Sequence, residues 1–150
     1  MAKYDSTSGL VIANGINATL SGTTPAKGNL VLATKFDSVW FSYFTGTVTD
    51  AGTASGFALE VQESDDTTDV GFTAVADADL YGLESALTVT DDAADDDAIG
   101  MIGYLGSKPY VRVVVTGTTG TNAVVMGFWT LGKHQYNPQS AQIVADVAAT

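Results

Sequence analysis

Hydrophobic and polar positions alternate most clearly in "FALEVQESDD" (Phe57–Asp66), where Phe57, Leu59 and Val61 share one parity and Ala58, Glu60 and Gln62 the other. A period of two puts successive side chains on opposite faces, so this is a half-buried strand running into a turn at Asp65-Asp66. "VGFTAV" (Val70–Val75) is placed to return as its hairpin partner. "YVRVVVT" (Tyr110–Thr116) repeats the pattern, with Val111, Val113 and Val115 on one face and Tyr110, Arg112 and Val114 on the other. It follows a strand over Ile99–Leu105 and the turn "GSKP", and precedes the Gly/Thr turn "GTTGT" and a nearly continuous apolar run, Asn122–Leu131. These three runs read as consecutive strands folding back on one another.

Upstream, "GLVIANG" (Gly9–Gly15), "INATLSG" (Ile16–Gly22) and "NLVLATKF" (Asn29–Phe36) are short apolar segments bounded by turn formers. "SVWFSYFTGTV" (Ser38–Val48) carries Trp40, Phe41, Tyr43 and Phe44, aromatics on both parities. That marks a central strand covered on both faces, or one that offers a face to another subunit. "ESALTVTDD" (Glu84–Asp92) is a weaker strand before the acidic "AADDDA". Helical periodicity is confined to "SAQIVADVAA" (Ser140–Ala149). Roughly seven to nine short strands predict an all-β protein: a single antiparallel β-sandwich, jelly-roll-like or Ig-like. Residues 1–8 and 139–150 read as flexible N- and C-terminal arms around a domain spanning 9–138.

Composition narrows the function. With 150 residues, 45% of them hydrophobic, the chain can bury a core despite a net charge of −11. No run is apolar enough to span a bilayer, and "MAKYDSTSG" lacks the apolar stretch of a secretory leader, which predicts a protein made in the cytoplasm. Fourteen of the 17 acidic residues lie between Asp50 and Asp97, and no Lys or Arg occurs between Lys35 and Lys108. Such a surface repels phosphate, which argues against nucleic acid and against anionic membranes as partners.

Cysteine is absent, excluding disulfides, thiolate zinc and cysteine nucleophiles, and His134 is the sole histidine. Asp91, Asp92, Asp95, Asp96 and Asp97, or Asp65, Asp66 and Asp69, offer hard oxygen ligands for Ca²⁺, but neither group has the ordered spacing of an EF-hand loop. Solvated turns explain both groups more simply, so no metal or cofactor is expected. His134, in "GKHQYNP", sits just past the last strand with no G-x-S-x-G or H-E-x-x-H elsewhere in the chain, so no enzyme is expected either. Arg112 has two readings. Its fork would suit a carboxylate of a ligand or neighbouring subunit; alternatively its stem lies on the sheet and it pairs with Glu60, Glu63 or a loop Asp of its own chain, the reading preferred here.

Two stretches resemble a known family. "LEVQESDDTTDVGFTAVADADLYG" and "IGYLGSKPYVRVVVTGTTGTNAVVMGFWTLGKH" are similar to small structural proteins of tailed-bacteriophage and prophage virions. The shared elements are Gln62–Asp66, Ala78–Leu80, Gly103–Thr116 and Gly132–His134, a strand-and-turn framework over roughly residues 57–135. The chain departs from it at Pro109, where the family often has a basic residue, and in closing with "GKHQYNP" rather than a Gly-His-Pro ending. The resemblance implies a capsid decoration or cement protein on the virion surface, binding the major capsid protein and copies of itself as a homodimer or homotrimer. The same strands also resemble jelly-roll sugar-binding modules of the discoidin kind, which leaves a carbohydrate-binding module for host attachment as an alternative. A tail, neck or baseplate component is a third reading. On the virion reading, the candidate interface residues are Trp40, Phe41, Tyr43 and Phe44 on one strand, Tyr110 and Arg112 on a second, Trp129 on the last strand, and His134 and Tyr136 just past it. For the two strands Val39–Phe44 and Val124–Leu131, a place in the core is the competing reading.

Overall fold

A computed structural model describes residues 10–50, 57–87, 99–118 and 121–134. Among them are ten strands: β1 (Leu10–Ser21), β2 (Ala26–Lys27), β3 (Val31–Leu32), β4 (Phe36–Asp50), β5 (Phe57–Ser64), β6 (Thr73–Ala74), β7 (Leu80–Tyr81), β8 (Ile99–Tyr104), β9 (Tyr110–Gly117) and β10 (Thr121–His134). They form two antiparallel sheets packed as a sandwich, one ordered β1-β10-β4-β8-β7 and the other β2-β9-β5-β6, with β3 also paired to β9. The pairings β1:β10, β2/β3:β9, β4:β8 and β5:β6 are those of a long hairpin folded double. Rolled up, such a hairpin gives the strand order of a jelly roll, with β7 added at one edge.

The alternating patterns place the core. From β5, Phe57, Leu59 and Val61 point inward, and from β9 Val111, Val113 and Val115 do, each 3% exposed or less. They meet Val39, Phe41, Tyr43, Trp129, Leu131 and Ile102 from the other sheet. At the centre the rings of Phe41 and Trp129 lie 5.1 Å apart. Two glycines make room for that stack: a Cβ on Gly15 would come within 2.5 Å of the Phe41 ring, and one on Gly127 within 2.3 Å.

Several expectations are corrected. The two segments Gly9–Gly15 and Ile16–Gly22 are one strand, β1, whose register against β10 shifts between Asn14 and Ile16. The bulge switches the buried parity from Val11 and Ala13 to Ile16 and Leu20, so the pattern looks like two pieces. Asn29–Phe36 is not a strand: β3 covers two residues, a 3-10 turn follows at Ala33–Lys35, and the aromatic strand begins at Phe36. Glu84–Leu87 is a 3-10 turn rather than a strand start, and residues 88–98 lie outside the described residues. Within Val70–Val75 only Thr73 and Ala74 pair with β5, opposite Glu63 and Gln62. Both backbone groups of Val61 are nevertheless satisfied beyond that short pairing, its carbonyl by the Val75 N–H at 2.9 Å and its N–H by the Glu84 carboxylate at 2.5 Å. Finally, β8, β9 and β10 do not fold back on one another as neighbours; they alternate between the sheets. Both arms, 1–8 and 139–150, lie outside the described residues.

Trp129→Ala is expected to lower the unfolding free energy by about 3–5 kcal/mol. Gly127→Ala, which drives a methyl into the Phe41 ring, should cost about 1–3 kcal/mol. Trp40→Ala should cost less, about 1–2 kcal/mol, because its half-buried ring packs on Tyr81 and Gly103 at the outer face and not in the core. Urea titrations followed by circular dichroism separate the three, and an unchanged midpoint for Trp129→Ala would contradict its place in the core.

Candidate functional site

The outward-facing side chains of the larger sheet follow from its register. One row runs Tyr81, Gly103, Trp40, Thr130, Ile12; the next Met101, Ser42, Phe128, Asn14; the third Ile99, Phe44, Met126, Asn17. None of these residues carries a charge, in a chain whose net charge is −11. An antiparallel sheet with one face on the core normally turns polar residues to water on the other. Here Ile99, Ile12 and Met101 are 75%, 62% and 59% exposed, and Tyr81 and Met126 are exposed beside them. The aromatics are already paired within the sheet. Trp40 meets Tyr81 edge-on, with ring centroids 5.2 Å apart, and Phe44 meets Phe128 at 5.6 Å. Trp40 and Tyr81 both crowd the Cβ position of Gly103, at 3.3 and 3.1 Å, so the tryptophan ring lies across the glycine. An uncharged, largely apolar face of this kind is a candidate interaction surface.

The other sheet is its opposite. On the outer side of β9, the Arg112 Nη1 donates to Asp69 at 2.5 Å, and its Nε and Nη2 donate to the side-chain Oε1 of Gln62 at 2.9 and 2.8 Å. Its guanidinium carbon stands 4.1 Å above the Phe72 ring. Lys27 pairs with the second oxygen of Asp69, and Gln62 donates to Glu60 at 2.5 Å. The polar chain Glu60–Gln62–Arg112–Asp69–Lys27 thus ties β2, β5 and β9 to the loop after β5. Hydrogen bonds from Lys27 first, and from Arg112, hold the Asp69 carboxyl below the usual carboxylate range. Thr68 does the same for Asp66. Lys108 pairs with Asp65, while the Tyr104 hydroxyl donates to Glu63 at 2.6 Å. Burial first, and then that carboxylate, push the Tyr104 phenol above its ordinary value.

These contacts sort the candidates. Phe41, Tyr43 and Trp129 are buried in the core, and Arg112 is 8% exposed with its donors turned to its own chain. Its carboxylate partner is the loop residue Asp69, not Glu60 or Glu63. Tyr110 is half-buried at the start of β9, where it pairs with Ser64 and Leu32. Trp40 and Phe44 lie on the apolar face. His134 ends β10 opposite Phe36, and Tyr136 is outside the described residues. Asp65, Asp66 and Asp69 serve different partners, and no three His, Asp or Glu converge at metal distance among the described residues; Asp91–Asp97 lie outside them. Sequence reasoning missed Ile12, Tyr81, Ile99, Met101 and Phe128. Their shared face is defined only by the cross-strand register.

No protein-family model matches the chain, and no curated protein matches it.

Asp66 and Asp69 have folded-state pKa values below their unfolded ones, so they stabilise the fold above the unfolded value and lose that contribution as pH falls through the folded one. Urea midpoints should therefore hold from neutrality to about pH 5 and decline below about pH 4, the ordinary carboxylate range. Asp69→Asn should flatten part of that decline. Arg112→Met should raise amide exchange first in residues 65–72, the loop that Arg112 pins.

Proposed function

We propose that the protein is a non-enzymatic virion structural protein of a tailed bacteriophage, which decorates and stabilises the capsid lattice. The observation that carries this reading is the uncharged apolar face on one side of an otherwise acidic jelly roll. A face of that breadth is built for another macromolecular surface, since hydrophobic side chains left in water are stabilised only when something covers them. The opposite sheet, braced by the Arg112–Asp69–Lys27 chain, stays charged and hydrated, which keeps free copies from aggregating before assembly. The virion-protein resemblance of residues 57–135 supplies the setting. Many copies on a repeating lattice gain avidity even from a modest single contact. The partners on this reading are the major capsid protein and further copies of the chain, and the protein is made in the bacterial host.

The aromatic pair Trp40–Tyr81 on the surface favours a second reading, a carbohydrate-binding module, because sugars stack on exposed rings. Against it, the two rings meet edge-on rather than forming an open platform, and no charged group stands in their row.

Quantitative mass spectrometry of purified particles from the source, with the major capsid protein as reference, tests the proposal. Near-stoichiometric copies are expected. A handful per particle would move the protein to the neck or tail, and absence would overturn the virion reading. A glycan screen with and without chelator should find no ligand; a hit abolished by Trp40→Ala would favour the sugar reading instead.

A further inference from the structure

We propose that the apolar face of the larger sheet is covered by the same face of a second copy of this chain, giving a two-fold dimer that stacks the sheets in four layers. This rests on the assembly reading above and names a second copy, not the capsid protein, as what covers the face.

Three observations favour a second copy. The first is electrostatic. Each copy carries a net charge of −11, so most ways of bringing two together are repulsive. The rows through Trp40, Ser42 and Phe44 are uncharged across β1, β10, β4 and β8, and β7 adds the uncharged Tyr81 to the first. Stacked through them, the charged groups of the smaller sheet, Arg112, Asp69, Lys27 and Glu60, lie three sheet spacings from their counterparts, roughly 30 Å, well beyond the Debye length of about 10 Å at 0.1 M salt. A different partner of an acidic protein is ordinarily met with complementary charge, and this face offers none. The second is size. Five strands about 4.8 Å apart, with rows spanning about 20 Å along them, give a footprint on the order of 400–500 Å². With side chains standing on it, the accessible area approaches the roughly 800 Å² per partner of a standard interface.

The third is shape and order. Ser42 sits at the centre of the face, flanked along β4 by Trp40 and Phe44 and across the ladders by Met101 and Phe128. A two-fold axis through this small residue brings the two copies of Ser42 together without a clash, and sheets packed face to face leave about 10 Å for the large residues around it. The Trp40–Tyr81 and Phe44–Phe128 pairs already hold each other, at 5.2 and 5.6 Å, so docking costs these four rings little rotamer freedom.

The test is sedimentation of the full-length protein over a range of concentrations, with the Ser42→Asp and Ser42→Lys variants and their equimolar mixture. The wild type should be a dimer whose dissociation constant is unchanged or lowered by added salt. Each Ser42 variant should weaken pairing by about 100-fold or more, since it sets like charges against each other at the axis. Mixing Asp with Lys variants should restore the dimer. Met101→Lys, at a site more than half exposed in the single chain, repeats the test if either Ser42 variant melts early. A wild type that stays monomeric overturns the proposal. So does a dimer that persists in folded Ser42 and Met101 variants, which would place pairing elsewhere on the chain. Particle copy number is read separately: a monomer abundant on particles sinks the self-pairing alone, whereas a dimer absent from particles sinks the virion reading alone.

Discussion

The pairing of β4 with β10 is the constraint on which the rest of the molecule depends. These are the longest strands, 15 and 14 residues, and they run antiparallel through the middle of the larger sheet. Both are apolar on both parities. One parity sends Phe41, Tyr43, Trp129 and Leu131 into the core; the other sends Trp40, Phe44, Met126 and Phe128 outward. Because the side-chain period of a strand is two, a slip of one residue would exchange these sets. The clearance left by Gly15 and Gly127 for the Phe41 ring holds the register, since a slip would drive side chains into that space.

Core and candidate interface are therefore two faces of the same ladder. This gives the outer face a rigidity that a loop-built site lacks, because its side chains stand on a sheet buried from behind. The smaller sheet is held differently. Its strands are short, and its stability is supplemented by polar bracing: Arg112 gathers the loop after β5 through Asp69, and Glu84 fills the backbone position beside β5 that no strand occupies. One sheet is organised by apolar contact on both sides. The other is apolar inside and ionic outside. The division of the molecule into an uncharged, largely apolar side and a charged side follows from that contrast.

The Arg112 network also shows why an arginine in an aliphatic strand need not signal a ligand. Its three donor nitrogens are used within the chain, and its carbon stem and guanidinium lie against Phe72. Asp65, Asp66 and Asp69, which in sequence resemble a ligand cluster, are divided among Lys108, Thr68, Lys27 and Arg112. Turn geometry and ion pairing account for them.

The sequence by itself determined the all-β class and the inward faces of β5 and β9. Each is a local property: alternation along one strand, or composition along one run, is visible without knowing the neighbour. It also made Trp40, Phe41, Tyr43 and Phe44 stand out, but could not divide them, because aromatics on both parities do not say which parity faces the core. Only the tertiary structure decided that, by pairing β4 with β10 and packing Phe41 on Trp129. The same holds for the bulge that joins two apparent segments into β1, and for the alternation of β8, β9 and β10 between sheets. The apolar face itself is drawn from five strands distant in sequence, Ile12 to Phe128, and exists only through their register. Long-range pairing sets that register, and no single stretch of chain contains it.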